Sequence, residues 1–151
     1  MPINSKQKGK RGEREFAKLC RDHGYDARRS QQYAGGVDSA DVIGLPGIHI
    51  EVKLRDRITE ADKLDFIKQA IRDSQMSAKF PIVAHKEKYR QWYVSMEMRD
   101  FAYMYTVAYG APFEGGAVTK TFQVVTMTVE AWFEVYKEFE ACMWLKAREE
   151  V

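Results

Sequence analysis

The sequence predicts an α/β domain: a mixed β-sheet of about five strands flanked by helices, with an additional C-terminal strand and a long final helix. Three observations carry this expectation. Apolar residues recur at spacings of three and four through Phe16, Leu19, Cys20 and His23, and again through Leu64, Ile67, Ala70 and Ile71. Short β-branched runs such as Ile48 to Leu54 and Phe80 to His85 alternate with those helical stretches. Glycine and proline signals, among them Gly24, Gly35-Gly36 and Pro46-Gly47, punctuate the boundaries. At 151 residues, 45% hydrophobic and 30% charged, the chain suits one ordinary domain with a sizeable core.

In chain order, residues 1–8 read as a polar tail, and a helix follows from about Gly9 to His23, stopped by Gly24. A short strand from Tyr25 to Ser30 leads into a loop from Gln31 to Ser39. A hairpin comes next, with strands through Asp41-Val42-Ile43 and Ile48 to Leu54 around a turn at Leu45-Pro46-Gly47. A helix from about Thr59 or Ala61 to Gln75 precedes strands at Phe80 to His85 and Gln91 to Met96. The remainder gives a helix from Met98 to Ala108, a strand near Thr119–Met127 and a helix from Val129 to Glu149. Within this single domain, residues 9–96 form the core and 97–151 an extension packed on it or on a partner. The run from Val94 to Phe101 echoes the run from Val125 to Trp132, each a strand end, a polar cap and an amphipathic helix. This is read as two uses of one local solution rather than a repeat.

Composition excludes several classes. No stretch approaches the roughly 18 apolar residues of a membrane span, and the polar start is no signal peptide, so a cytoplasmic protein is expected. Cys20 and Cys142 make no ligand spacing with one another or with His23, His49 and His85, and are expected as buried thiols. Any bound metal must therefore be held by oxygen. Gly9-Lys10-Arg11-Gly12 lacks the spacing of a phosphate loop, which argues against a nucleotide cofactor. The net charge of +2 conceals an asymmetry: residues 1–30 hold nine Lys/Arg against four Asp/Glu, whereas residues 101–151 hold four against seven. A basic first fifth is what a phosphate-binding face requires, and equally what a solvated tail looks like.

The segment richest in chemistry is the hairpin. Along its second strand His49, Glu51 and Lys53 share one face, and Ile48, Ile50, Val52 and Leu54 the other. A three-residue turn, Leu45 to Gly47, pairs Gly44 with Ile48 and sets Asp41 opposite Glu51. A two-residue Pro46-Gly47 turn would set Asp41 opposite Val52 instead, with a twist less suited to a hairpin. In the first register the two carboxylates have Cβ atoms roughly 5 Å apart on one face and repel unless a cation lies between them. Mg²⁺, bound by one or two carboxylates plus waters and substrate phosphates, would relieve that repulsion. Lys53 lies one step further along the same face. An ordinary solvated hairpin face, with Lys53 neutralising Glu51, is the competing account. Glu13 adds to the first: at helical spacing it falls between Ala17 and Cys20, inside the apolar arc, where a carboxylate is costly without a partner. Its own alternative is a first-turn acid favoured by the helix dipole.

Taken in order, Gly9-Lys10-Arg11-Gly12-Glu13-Arg14-Glu15-Phe16, Gly24 to Ser30, Ala40-Asp41-Val42-Ile43 and Ile50-Glu51-Val52-Lys53 resemble the Holliday-junction resolvases of archaeal and phage type. These belong to the PD-(D/E)XK, restriction-endonuclease-like superfamily. The resemblance covers about residues 8–95 and departs from the superfamily pattern at Ala40, where proline is usual. It implies a restriction-endonuclease-like core and a metal-dependent endonuclease with Glu13, Asp41, Glu51 and Lys53 as catalytic residues. Asp41, Glu51 and the Val52 carbonyl would hold Mg²⁺, or Mn²⁺ in its place, with Glu13 as a further candidate. Lys6, Lys8, Lys10, Arg11, Arg14, Arg28 and Arg29 would grip the DNA backbone, and Gln69 would face the site from the following helix. Two symmetric cuts in a four-way junction imply a homodimer, with the aromatic C-terminal region as one candidate contact. Pro81 to Lys86 is expected to carry a basic tip near a phosphate. The alternatives are another nuclease of the superfamily (repair, restriction or flap type) and a DNA-binding protein without cleavage.

Overall fold

The computed structural model describes residues 5–31, 39–113 and 122–149, with side chains placed to 145. Ten elements follow one another: α1 (Ser5–Asp22), β1 (Arg28–Arg29), β2 (Val42–Ile43), β3 (Ile48–Arg55), α2 (Glu60–Ser74), β4 (Phe80–Glu87), β5 (Tyr93–Glu97), α3 (Met98–Tyr109), β6 (Val124–Thr128) and α4 (Val129–Glu149). The strands make one six-stranded sheet in sequence order. Its β3–β4 pair is parallel, joined through α2, and the other pairs are antiparallel. This is the mixed sheet expected, with β6 and α4 as the additional strand and helix.

Alternation along the strands sorts the residues between two layers. Ile50, Val52, Ile82, Ala84, Val94 and Met96 face one side, where Phe16, Ala17 and Cys20 of α1, Phe101 and Met104 of α3, and Trp132, Phe133 and Tyr136 of α4 close the main core. Val83 faces the other side and meets Ile67 and Ala70 of α2 in a smaller core. Glu51 is paired with Val83, and Lys53 with His85, so Glu51, Lys53 and His85 lie on the α2 side. The half of the sheet covered by a single helix is the half that carries polar side chains.

Local chemistry explains the boundaries. Thr59 caps α2: its side chain accepts from Asp62 N, and the Asp62 carboxylate accepts from Thr59 N, a closed capping box. Gly110 ends α3 in the left-handed conformation. The echo between residues 94–101 and 125–132 corresponds to two strand-to-helix steps, β5 into α3 and β6 into α4. Three expectations change. The tail predicted over 1–8 is helical from Ser5, because Lys6, Gln7 and Lys8 favour helix and Lys8 Nζ is anchored 2.7 Å from Asp56 Oδ1. The strand predicted from Tyr25 to Ser30 shrinks to Arg28–Arg29, opposite the short β2. In the last strand, Phe122 and Gln123 precede a start at Val124; residues 114–121, which include the predicted start at Thr119, lie outside those described, as do 32–38 of the predicted loop.

Cys20 is buried and Cys142 half-buried, and neither forms a disulfide. Among the described residues no helix is long and apolar enough to cross a membrane.

Candidate active site

The hairpin between β2 and β3 sets the site's register. Gly47 adopts a φ of 76°, and Ile48 N donates to Leu45 O at 3.1 Å, the bond of a β-turn around Pro46 and Gly47. Val42 faces Ile50, the register expected with three residues, Leu45 to Gly47, between the strands. Gly44, at φ 120°, passes so close to the 26–27 backbone that a Cβ there would meet Asp26 O at 2.4 Å. No side chain fits this crossing.

Asp41 stands one step beyond that pair and is held from three directions. Its N–H donates to Ile50 O at 2.8 Å, its carbonyl accepts from Ser30 N at 2.9 Å, and its carboxylate Oδ2 accepts from Val52 N at 2.8 Å. The Asp41 and Glu51 carboxyl groups come within hydrogen-bonding reach of one another. Burial, and after it the charge of Glu51, push the Asp41 carboxyl up to about 7, against the opposing hydrogen bond from Val52. In a strand the N–H and C=O of one residue project toward the same neighbour. The Val52 carbonyl is therefore directed to the same edge as the Asp41 carboxylate.

Glu51 is 4% exposed, and its Oε1 lies 2.8 Å from Nε2 of His49, itself wholly buried. Strand alternation puts His49 on the face of Glu51, and that spacing of two is the signal in the sequence for this contact. Lys53 Nζ donates to Gln69 Oε1 on α2 at 3.2 Å and sits 5.4 Å from the centre of the Phe66 ring. Gln69 thus faces the site from α2 as expected.

Glu13 is placed differently. It lies half-buried on α1, against the opposite layer of the sheet, and its Oε2 accepts from Arg29 Nε at 2.6 Å. Burial raises its carboxyl above the usual range, the Arg29 hydrogen bond lowers it, and the Asp41 charge raises it again. It therefore borders Asp41 electrostatically while bonded to Arg29. Among the described residues no three His, Cys, Asp or Glu side chains form a group able to hold a metal. Of the three acids expected together, Asp41 and Glu51 meet directly, while Glu13 approaches Asp41 from α1 and is bonded to Arg29, a residue expected to contact DNA.

The remaining basic residues divide likewise. Lys6, Lys10, Arg11, Arg14 and Arg28 are exposed, whereas Lys8 is tied to Asp56 and Arg29 to Glu13. The basic tip expected at His85-Lys86 does not form. His85 is buried, bonds Ser95 Oγ at 2.7 Å, and is driven down to about 4 mainly by burial, which leaves it neutral. Lys86 turns to Glu15, 3.5 Å away.

The donor chemistry suits a hard divalent cation: two adjoining carboxyl groups and a backbone carbonyl directed to the same edge. Two buried carboxyl groups in contact resist double ionisation, and a cation between them removes that penalty.

A solved structure similar to this chain is Hjc, a Holliday junction resolvase from the archaeal hyperthermophile Archaeoglobus fulgidus, with a TM-score of 0.43 and 17% identity over 85% of this chain and 92% of that one. No curated protein matches the sequence. A family model does: the one described as "Phage putative PDDEXK endonuclease" matches residues 4–141, from the first helix into the last. That span takes in the hairpin acids, Lys53 and both flanking layers, and the chain belongs to the phage PDDEXK endonuclease family.

Proposed function

We propose that this nuclease hydrolyses DNA phosphodiester bonds with Mg²⁺ or Mn²⁺ and that its substrate is branched DNA, four-way junctions above all. The observation that carries the metal dependence is the contact between the Asp41 and Glu51 carboxyl groups, with Lys53 on the same face. Asp41, Glu51 and the Val52 carbonyl would hold the cation. When bound, it lowers the pKa of water and stabilises charge growing on the phosphate.

The chain's own groups do the rest. Val52 N fixes the Asp41 carboxylate beside the carboxyl group of Glu51. Lys53, steadied by Gln69, positions the attacking water or a phosphate oxygen through its amine. Glu13, bonded to Arg29, adds negative potential beside Asp41. Lys10, Arg11, Arg14 and Arg28 present charge to the phosphate backbone without reading bases, which suits selection by DNA shape.

Resolving a junction takes two symmetric cuts, so the reading includes a homodimer. Exposed Met143, Trp144 and Leu145 of α4 border an apolar cavity of about 900 Å³ that reaches Pro46 and Gly47 of the hairpin turn, and they are the surface favoured for that contact. The proposed setting is the cytoplasm of a phage-infected cell.

The test is cleavage of synthetic four-way junction, flap, duplex and single-stranded DNA with Mg²⁺, Mn²⁺ or chelator. Paired cuts confined to the junction, lost on chelation, are expected. Preferential cutting of flap or duplex would reassign the substrate, and undiminished cutting in chelator would remove the metal.

A further inference from the structure

We infer that His49 is a positioning residue for Glu51: it holds one carboxylate oxygen of the proposed metal ligand and so aims the other at the cation. This rests on the metal-dependent reading above and deepens it.

The argument begins with placement. His49 and Glu51 are two residues apart on β3 and so project from the same face of the sheet. His49 is wholly buried, Glu51 nearly so, and Nε2 stands 2.8 Å from Oε1. A buried imidazole next to a carboxylate is costly unless the two bond, and a carboxylate ionised to hold a cation only accepts, so in that state Nε2–H is the donor to Oε1. A hydrogen bond to a charged acceptor is among the stronger kinds, and burial shields this one from competing water.

The consequence for Glu51 is geometric. A glutamate side chain has three rotatable bonds, and freezing them costs on the order of 1–2 kcal/mol. With Oε1 fixed by an imidazole that cannot move in the core, that cost is met in folding rather than when a cation arrives. Oε2 is left as the oxygen available to metal. Asp41 is restrained in the same manner, through Val52 N on one oxygen. Each acid is thus tethered by one oxygen to β3, Asp41 by a main-chain donor and Glu51 by a side-chain donor. Ligand-orienting partners of this kind typically change metal affinity by about 10–100-fold when removed.

The experiment compares wild type with His49→Phe, which keeps an aromatic volume without the donor, and His49→Gln, which restores an N–H near the position of Nε2. Mn²⁺ binding is read from the electron paramagnetic resonance signal of free Mn²⁺, with DNA absent, and Asp41→Asn serves as the control for the site. The expected result is at least about tenfold weaker binding in His49→Phe, most of it regained in His49→Gln, and none of it traceable to a lowered melting temperature. Wild-type affinity in His49→Phe, with binding lost in Asp41→Asn, overturns the role of His49 and leaves the metal site standing. Equal weakening in Phe and Gln variants overturns it too, since packing alone would then account for the loss. Undiminished binding in Asp41→Asn removes the metal site itself. Should His49→Phe fail to fold, the imidazole ¹⁵N signals of wild-type protein decide the matter. They are expected to shift on Mg²⁺ addition with the midpoint of the binding curve, and signals that stay put overturn the inference.

Discussion

Oδ2 of Asp41 accepts a hydrogen bond from the main-chain N–H of Val52 at 2.8 Å, so the acid on one strand of the hairpin is seated by the strand that carries Glu51 and Lys53. The contact replaces a rung of the ladder. It spends a main-chain donor on a carboxylate and brings that carboxylate to the carboxyl group of Glu51.

Asparagine at position 41 keeps an oxygen for the Val52 N–H and removes the charge that Glu51 opposes. Asp41→Asn is therefore expected to abolish Mg²⁺-dependent cleavage while retaining DNA binding. It should also raise the stability of the metal-free protein by roughly 1–3 kcal/mol near neutral pH. Lys53→Ala should lose cleavage and keep binding without that gain. Cleavage and gel-shift assays beside thermal melts check the three statements together, and wild-type cleavage by both variants would contradict the assignment.

The sign of the pH dependence follows from the same group. The folded-state pKa of Asp41 lies at about 7, above its ordinary value of 3.8. The folded protein thus holds a proton that the unfolded chain has already released, and the stability this contributes is present below about pH 4 and lost as pH rises toward 7. The difference in stability between Asp41→Asn and wild type should accordingly be small at pH 4 and grow to its full size by about pH 7. Saturating Mg²⁺ should shrink it, by stabilising wild type alone. Chemical denaturation at a series of pH values measures the difference curve; a gap that narrows with rising pH would contradict the prediction.

His85 titrates in the opposite sense. Burial lowers its pKa from 6.5 to about 4, so the stability contributed by the neutral ring is present above pH 6.5 and lost as pH falls through 4. Its imidazole nitrogen signals should report a neutral ring at pH 5.5, where an exposed histidine is mostly charged. A charged ring at that pH would contradict the burial described for His85.

The hairpin was legible in sequence for a physical reason: strand alternation is strict, and a three-residue turn with Gly47 at positive φ leaves one register. The sheet's two layers followed from the same alternation. What sequence did not contain was partner choice across long separations. Helical spacing put Glu13 on the inner face of α1, yet nothing near it in the chain announces Arg29, sixteen positions on, as its partner. Gly9 reads as a helix boundary, yet α1 begins before it, where Lys8 gains an anchor in Asp56, forty-eight positions away. Alternation puts His49 on the face of Glu51, but a contact with Glu51 rather than with solvent depends on burial that only the assembled fold provides.

The pairing of Arg29 with Glu13 separates two arginines that look alike in sequence. Arg28 is exposed and Arg29 is bonded to a half-buried carboxylate. Arg28→Glu should weaken DNA binding and lower its salt slope by roughly one per lost phosphate contact, with stability within about 0.5 kcal/mol of wild type. Arg29→Ala should in addition cost stability, on the order of 1 kcal/mol once solvent screening of this partly exposed pair is allowed for. Salt-dependent binding isotherms and thermal melts distinguish the two; equal stability losses would mean that the Glu13 contact contributes nothing.

The two glycines of α1 should respond in opposite directions, because one faces open space and the other faces β3. A Cβ at Gly9 meets nothing within 4 Å, whereas one at Gly12 would stand 3.1 Å from Leu54 Cβ and 3.5 Å from Val52 Cγ1. Alanine in place of a helical glycine is worth roughly 0.5–1 kcal/mol, so Gly9→Ala should stabilise by that amount. At Gly12 the same gain is set against a Cβ bonded directly to the backbone of a buried strand, which has no rotamer to yield. Gly12→Ala should come out net destabilising, and Gly12→Val by about 1–3 kcal/mol. Lifting α1 from β3 also withdraws Glu13 from Asp41, so the Gly12→Val variant should lose cleavage beyond what its unfolded fraction explains. Thermal melts with single-turnover cleavage on the same preparations measure both effects; stabilisation by Gly12→Val would show that α1 does not rest on Leu54.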